Sequence, residues 1–278
     1  MPPRPRQARA RRRPQTGLSL LELMVGMTIG LFTVAAALGS LVVLRSITST
    51  VSEASQLQLQ AGHTLRTIGQ QIRQGGSIKL NLGPGKTDAT INVADGVAFE
   101  KVFARASQTL VGNDSPAAGQ YHLQIGYQNY ADPVTGSGTP AFLFRDCLGQ
   151  ASSTDRISSG FVFEKAAGAL SGSLKCAGND QALQTIAGNV ADFRVRYLLQ
   201  DLSTGTPQMR YANAQAAQAA GWSQVHGVEI CLELIGNQST DTAGATYLNC
   251  NGDSVNMGNR LHMVFRNSFQ IRSQGFFG

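Results

Sequence analysis

The sequence predicts an α+β chain: a long N-terminal helix whose first half is membrane-embedded, then a β-rich, mainly antiparallel globular domain with disulfides. Three observations predict it. Residues 23–44 carry no charged side chain, and an apolar run of that length crosses a bilayer as a helix. From Arg45 to Gln74 apolar residues recur at helical spacing without a proline, up to Gly75-Gly76. Beyond residue 77 the chain breaks into short alternating runs between Gly, Pro, Asn and Asp, and all four cysteines lie there.

The first element is a leader. MPPRPRQARARRRPQTG, residues 1–17, holds six Arg and no acid. The uncharged run after it would span ~33 Å at the helical rise of ~1.5 Å per residue, against a bilayer core of ~30 Å. Positive charge flanking such a run marks the cytoplasmic side. The chain beyond Leu44 is therefore expected on the far side of the membrane.

Glu22 stands near the start of the apolar stretch 17–44 and is its one ionisable residue. A carboxylate within a membrane helix costs roughly 2.5–3.5 kcal/mol on insertion scales and marks a functional site in need of a partner. The next cation along the chain is Arg45, so the partner must come from elsewhere. A cut between Gly17 and Leu18 would create an α-amino group four residues before Glu22. Beside a neighbouring subunit, ammonium and carboxylate would neutralise each other in a low dielectric.

Basic leader, Gly17, apolar helix and Glu22 at the fifth position after the cut together resemble the type IV prepilin family. The family usually has Phe where Leu18 stands. The resemblance implies cleavage by prepilin peptidase after Gly17 and methylation of the Leu18 amine. Two plainer readings compete. One is a secretory signal peptide cut near Ala35-Ala36-Ala37, opposed by Glu22 and by the apolar run continuing to Leu44. The other is a simple membrane anchor with an incidental acid. A twin-arginine export signal fits less well, because Pro14-Gln15 follows Arg12-Arg13.

The second half of the helix follows from spacing. Ile47, Val51, Ala54, Leu57, Ala61, Leu65, Ile68 and Ile72 fall three or four residues apart, the step of one helical face. That face should pack on the globular domain. Gly75-Gly76 ends the helix where a C-terminus favours glycine. Residues 18–74 would then form one helix of ~85 Å. Gly26 and Gly30 make a GxxxG pair, read equally well as a close-packing site or as ordinary membrane-helix glycine. Four regions result: 1–17 leader, 18–44 transmembrane and assembly half, 45–76 amphipathic half, 77–278 exported β-rich domain.

Composition supports an exported domain. Gly is high at 31 of 278 residues and charge low at 14%, which suits a β-rich, loop-rich fold. The formal charge of +6 misleads: the leader holds six of the 23 Lys and Arg and none of the 17 acids, so the rest of the chain is balanced. The basic excess is topological, and direct nucleic-acid binding is not expected. Cys147, Cys176, Cys231 and Cys250 lie on the oxidising side and lack C-x-x-C spacing. Three pairings are open; neighbour pairing, Cys147 with Cys176 and Cys231 with Cys250, is the simplest.

Turn signals punctuate 77–140, and short runs such as Thr90–Val93, Val97–Phe103 and Tyr121–Tyr127 read as strands. The segments 141–147, 155–165, 190–200, 225–236 and 260–272 follow. In 190–200, Phe193, Val195, Tyr197 and Leu199 alternate with Arg194 and Arg196. In 225–236, Val228, Ile230, Leu232 and Leu234 alternate with Glu229, Cys231 and Glu233. Leu261, Met263 and Phe265 mark a third such strand. Residues 212–220, ANAQAAQAA, are a short helix or a linker. The run of NVADFRVRYLLQ, GVEICLEL and RLHMVFRNSFQIRSQ behind a pilin helix resembles the PilW family of type IV minor pilins.

Chemistry-bearing motifs are sparse. NLGPGKTD, 81–88, has Leu80 where a phosphate loop needs Gly. The stretch 136–141 fits a dinucleotide fingerprint only across Pro140 and ahead of a strand. His63, His122, His226 and His262 lack metal-ligand spacing; His63 reads as a surface residue of the helix, and His226 and His262, at strand starts, as structural rather than catalytic. The Asn and Asp residues around Cys250 offer oxygen ligands for calcium without EF-hand spacing, and also suit ordinary loops. No catalytic residue, metal or cofactor is assigned.

The family resemblance implies a minor pilin that waits in the inner membrane, N-terminus cytoplasmic and β domain periplasmic, then helps prime the filament and lies near its tip. The implied partners are prepilin peptidase, other minor pilins, the major pilin and an adhesin-like protein at the tip. A J-type minor pseudopilin of type II secretion is the alternative with the same architecture; an exported enzyme on a membrane anchor is more remote.

Overall fold

The computed structural model describes residues 17, 19–81, 98–99, 103–133, 140–142, 144–179, 181–201, 205–206 and 208–271. The leader, the 82–97 turn-rich stretch with most of NLGPGKTD, and 134–139 lie outside them. The chain divides into two compact units, Met1–Val51 and Ser52–Gly278. Helix α1 runs from Leu20 to Gln74 and contributes to both.

In the first unit α1 begins where the Leu23 N–H donates to the Ser19 carbonyl at 3.1 Å. Leu, Met and Ala favour the helix and no proline interrupts it. Its large side chains face out: Leu20, Phe32 and Leu38 are all more than half exposed. Its described hydroxyls are folded back onto the helix. Thr28 Oγ1 donates to the Val25 carbonyl at 2.9 Å, Thr33 to Gly30 at 2.8 Å and Ser40 to Ala36 at 2.9 Å. The helix thus presents these groups already satisfied, as an apolar solvent requires.

The second unit is the rest of α1 packed on an antiparallel sheet. Burial on the helix starts at Glu53 and recurs at Leu57, Ala61, Leu65, Ile68 and Ile72. Ile47 and Val51 share the spacing but are exposed, so the apolar face expected to pack from residue 47 is engaged later. The reason is the partner: the helix first meets the sheet where Glu53 accepts the N–H groups of Asn237 and Gln238, at 2.6 and 2.8 Å. The helix closes at Gly76, which takes φ 70 and donates its N–H to the Gly126 carbonyl at 2.8 Å. Only glycine adopts that conformation without strain.

Among the described residues fourteen strands follow. The short ones are β1 (Leu80–Asn81), β2 (Ala98–Phe99), β3 (Leu110–Gly112), β5 (Ala131–Pro133), β6 (Pro140–Phe142), β12 (Thr246–Leu248) and β13 (Ser254–Asn256). The longer ones are β4 (Leu123–Gln128), β7 (Arg156–Glu164), β8 (Gly172–Ala177), β9 (Gln184–Asp201), β10 (Gln208–Ala212), β11 (Val225–Ser239) and β14 (Arg260–Gln270). The main sheet has the order β14-β11-β9-β8-β7-β4-β3, with β10 also paired to β9. Every pairing is antiparallel. β1–β2, β5–β6 and β12–β13 are separate two-stranded ribbons.

The alternation read from the sequence sets the inner face. Phe193, Tyr197 and Leu199 of β9, and Val228, Ile230, Leu232 and Leu234 of β11, are buried in one core with Ile68 and Ile72. Fully burying such a side chain stabilises by roughly 1.5–3 kcal/mol. Two expectations change. Of the described residues in segment 141–147, Ala141 and Phe142 are strand and 144–147 are not; Asp146 Oδ1 accepts the N–H groups of Leu148 and Gln150, both at 2.9 Å, and turns the chain. Cys231 and Glu233 alternate as read but are buried as well, because the β12–β13 ribbon covers the other face of β11. Residues 214–220 form helix α2. Asn213 caps it by accepting the Ala216 N–H at 2.9 Å, and Asp114 accepts the N–H groups of Ala214 and Gln215.

Candidate functional site

The N-terminal site is built on the start of α1. Gly17 is exposed, and a Cβ there would meet nothing within 4 Å. Leu18 lies outside the described residues. Glu22 sits in the first helical turn, where the helix dipole favours a carboxylate. Among the described residues no cation or donor answers it. Gly26 and Gly30 follow at four-residue steps, and a Cβ on either would meet nothing within 4 Å. The fold of this chain therefore does not demand those glycines. Residues 22, 26 and 30 share one helical face, so the acid tops a stripe where another backbone can approach closely. The span Leu20–Leu41 is 22 residues, long and apolar enough to cross a membrane.

The second region is the outer face of the sheet. Disulfides join Cys147 to Cys176 and Cys231 to Cys250. The first ties the loop after β6 to β8. The second ties β11 to the turn between β12 and β13. That turn is shaped by Asn249, whose Oδ1 accepts the N–H groups of Asn251 and Asp253, both at 2.9 Å. Asp241 and Asn256 likewise accept the N–H groups of Ala243 and Gly258, at 2.9 and 2.7 Å. Among the described residues no group of three or more His, Cys, Asp or Glu could hold a metal ion.

Beneath the ribbon lies a polar cluster. Glu233 Oε1 accepts the Tyr247 hydroxyl at 2.6 Å and meets His262 Nδ1 at 2.9 Å. The Tyr247 and His262 rings stack at 4.7 Å. Burial alone would raise the Glu233 pKa. The bonds from His262 and Tyr247, with the charges of His262 and Lys165, outweigh it and hold the carboxyl below its ordinary value. Burial and the Glu233 bond raise Tyr247. Farther along the same face Glu229 lies between Arg196, at 3.5 Å, and Arg266, at 3.9 Å, and Arg194 pairs with Asp192 at 2.9 Å.

The other histidines are dispersed. His63 is exposed on α1. His122 Nδ1 accepts the Phe163 N–H at 3.2 Å, and burial, then the Arg194 charge, lowers its pKa. Glu53 and Gln71 are two polar residues of α1 that are buried against the β domain. Gln71 Oε1 accepts the Ser159 hydroxyl at 2.8 Å and lies 3.0 Å from the Tyr127 hydroxyl. Its Nε2 donates to the Arg145 carbonyl at 3.3 Å. Glu53 was legible, since it falls four residues before Leu57 on the apolar stripe, where a carboxylate needs a partner.

Comparison with known proteins agrees with both regions. Residues 161–273 match the family model of type IV pilus-assembly protein W, and residues 12–38 match the prokaryotic N-terminal methylation motif. Gly17 and Glu22 fall inside the second match, and both Cys231 and Cys250 inside the first. Among solved structures the chain is similar to a type IV-like pilin from Thermus thermophilus at 12% identity, over 77% of this chain and 95% of that one, with a TM-score of 0.37. No curated protein matches.

Proposed function

We propose that this chain, a type IV pilin-like minor pilin with a PilW domain, is cut by prepilin peptidase after Gly17 and methylated on the Leu18 amine. The processed subunit is held in the inner membrane by residues 20–41, with the β domain in the periplasm. It then joins other minor pilins and the major pilin, primes the filament and lies near its tip, where an adhesin-like protein docks. The role is structural rather than catalytic. The Leu18 ammonium of one subunit answers the Glu22 carboxylate of the next and sets the axial register of the helices.

The observation that carries this reading is Glu22. It stands at the head of a 22-residue span none of which is buried within the chain, and no described residue partners it. An unanswered acid in lipid is costly, and a neighbour's new terminus removes the cost. The pseudopilin of type II secretion shares the architecture; loss of secretion rather than of twitching motility in a deletion strain would point to it.

The test is the mass and N-terminal sequence of the protein extracted from membranes. A methylated Leu18 start is expected. A start near Leu38 would mean a removed export peptide, and an intact leader a plain anchor; either result overturns the proposal.

A further inference from the structure

The main sheet ends differently on its two sides. On one side it closes with β3, three residues long. On the other it closes with β14, eleven residues long, which among the described residues pairs only with β11. Long open edges are usually blunted by charged side chains, proline, a bulge or a covering element. β14 contains no proline, and from Gly227↔Gln270 to Ile235↔His262 its register with β11 runs without a shift.

The pairing tells which backbone groups are free. The Ile271 N–H donates to the His226 carbonyl at 3.0 Å. With the Val228↔Phe269 and Ile230↔Asn267 register, residues 263, 265, 267 and 269 turn their N–H and C=O groups to β11. Residues 262, 264, 266, 268 and 270 turn theirs to the open edge. Their side chains lie on the outer face, and those of Leu261, Met263 and Phe265 lie on the inner face, only partly buried against the core.

Charge then selects what can add there. Arg266, Arg196 and Arg194 stand on the outer face with side chains 35%, 47% and 53% exposed, whereas Glu229 between two of them is only 14% exposed. Around Glu229 the exposed part of this face is therefore cationic, whereas Arg194 is paired with Asp192, itself 27% exposed. β14 itself carries no Asp or Glu, so a second copy pairing through β14 would bring Arg and His and no acid. A helix uses its own N–H groups internally and cannot satisfy the edge.

We propose that β14 is a strand acceptor: an extended segment of a different protein, alternating apolar and acidic residues, adds to the sheet beside Arg260–Gln270. Its apolar residues cover Leu261, Met263 and Phe265, and its carboxylates face Arg266. This is strand addition, with main-chain bonds supplying affinity and alternate side chains supplying specificity. The inference does not depend on which filament the chain serves.

The test uses the full chain in detergent micelles and synthetic peptides of about nine residues, a common strand length. One peptide alternates Val and Glu, the other Val and Lys. Amide exchange of residues 262, 264, 266, 268 and 270 should slow by about ten-fold or more with the Glu peptide, since each amide becomes hydrogen-bonded, and stay unchanged with the Lys peptide. Ser268→Pro removes an edge N–H at a position where an edge strand tolerates proline; it should abolish the protection while the melting temperature holds. Arg266→Gln keeps a donor for the Asn249 carbonyl that Arg266 now reaches at 2.7 Å, and should reduce the preference for the Glu peptide. Protection that is absent, equal for both peptides, or unaffected by Ser268→Pro overturns the proposal. So does finding these amides already protected in the free chain.

Discussion

The two parts of helix α1 belong to one continuous helix and meet opposite fates. From residue 20 to 51 the apolar side chains are exposed all round the described helix. From Glu53 to Ile72 one apolar face is buried in the core of the sheet. Spacing alone does not separate them, since Ile47 and Val51 continue the step of Leu57 and Ala61 outward. The difference is what supplies the partner. The later part finds it in its own chain; the earlier part must find it in lipid or in other molecules. A substitution in the first part should therefore change assembly and leave folding alone, and one in the second part should do the reverse.

The largest effect is expected at Glu22. Glu22→Ala removes an acid whose insertion costs roughly 2.5–3.5 kcal/mol, so membrane entry becomes easier and cleavage after Gly17 should persist. Loss of filament in that variant then reports the missing pairing between subunits. Sheared filaments should fall to a small fraction of the wild-type amount, while thermal unfolding of the β domain stays where it was. Undiminished filaments would remove the distinction drawn between the two parts of the helix.

Next in size is the reverse experiment. Ile68 is fully buried, so Ile68→Ala should cost ~2–5 kcal/mol and lower the melting temperature clearly. Ile29 is 59% exposed in the first unit, and Ile29→Ala should leave unfolding of the domain unchanged. Equal effects from the two substitutions would show that the first part also leans on the domain.

Much of this was legible in the sequence, and the gaps have a physical pattern. The helix, its glycine stop and the inner faces of β9 and β11 follow from periods of 3.6 and 2, which depend on neighbours along the chain. β8 escaped notice because GSLKCA is short and its two polar residues interrupt the apolar run. Where the helix engages was not legible, since it depends on Glu53 reaching the end of a strand 184 residues away. Nor was the burial of Cys231 and Glu233. Alternation assigns a side chain to a face, but only the ribbon held by Cys250 decides whether that face meets water. Gly236 belongs with these: a Cβ there would stand 2.5 Å from Glu53 Oε2, so the glycine is required by a contact from another element.

The smallest expected effect lies under that ribbon and separates stability of the domain from assembly once more. Glu233 has a carboxyl held below its ordinary value in the folded chain, by its bonds from His262 and Tyr247. A carboxylate lowered by folding stabilises above its unfolded pKa, and that contribution is lost as pH falls through the folded one. Unfolding should therefore become easier from about pH 4.5 downward, and part of that acid limb belongs to Glu233. Glu233→Gln keeps an oxygen for the Tyr247 hydroxyl and cannot titrate. Its melting temperature should be lower than wild type at pH 7, and the gap should narrow as the pH drops below 4.5. Removing the Cys231–Cys250 bridge with a reductant should loosen the ribbon that holds Tyr247 over Glu233, and bring the wild-type pH profile toward that of the variant. A wild-type and variant pair whose gap is constant with pH would mean that His262 and Tyr247 hold Glu233 by shape alone.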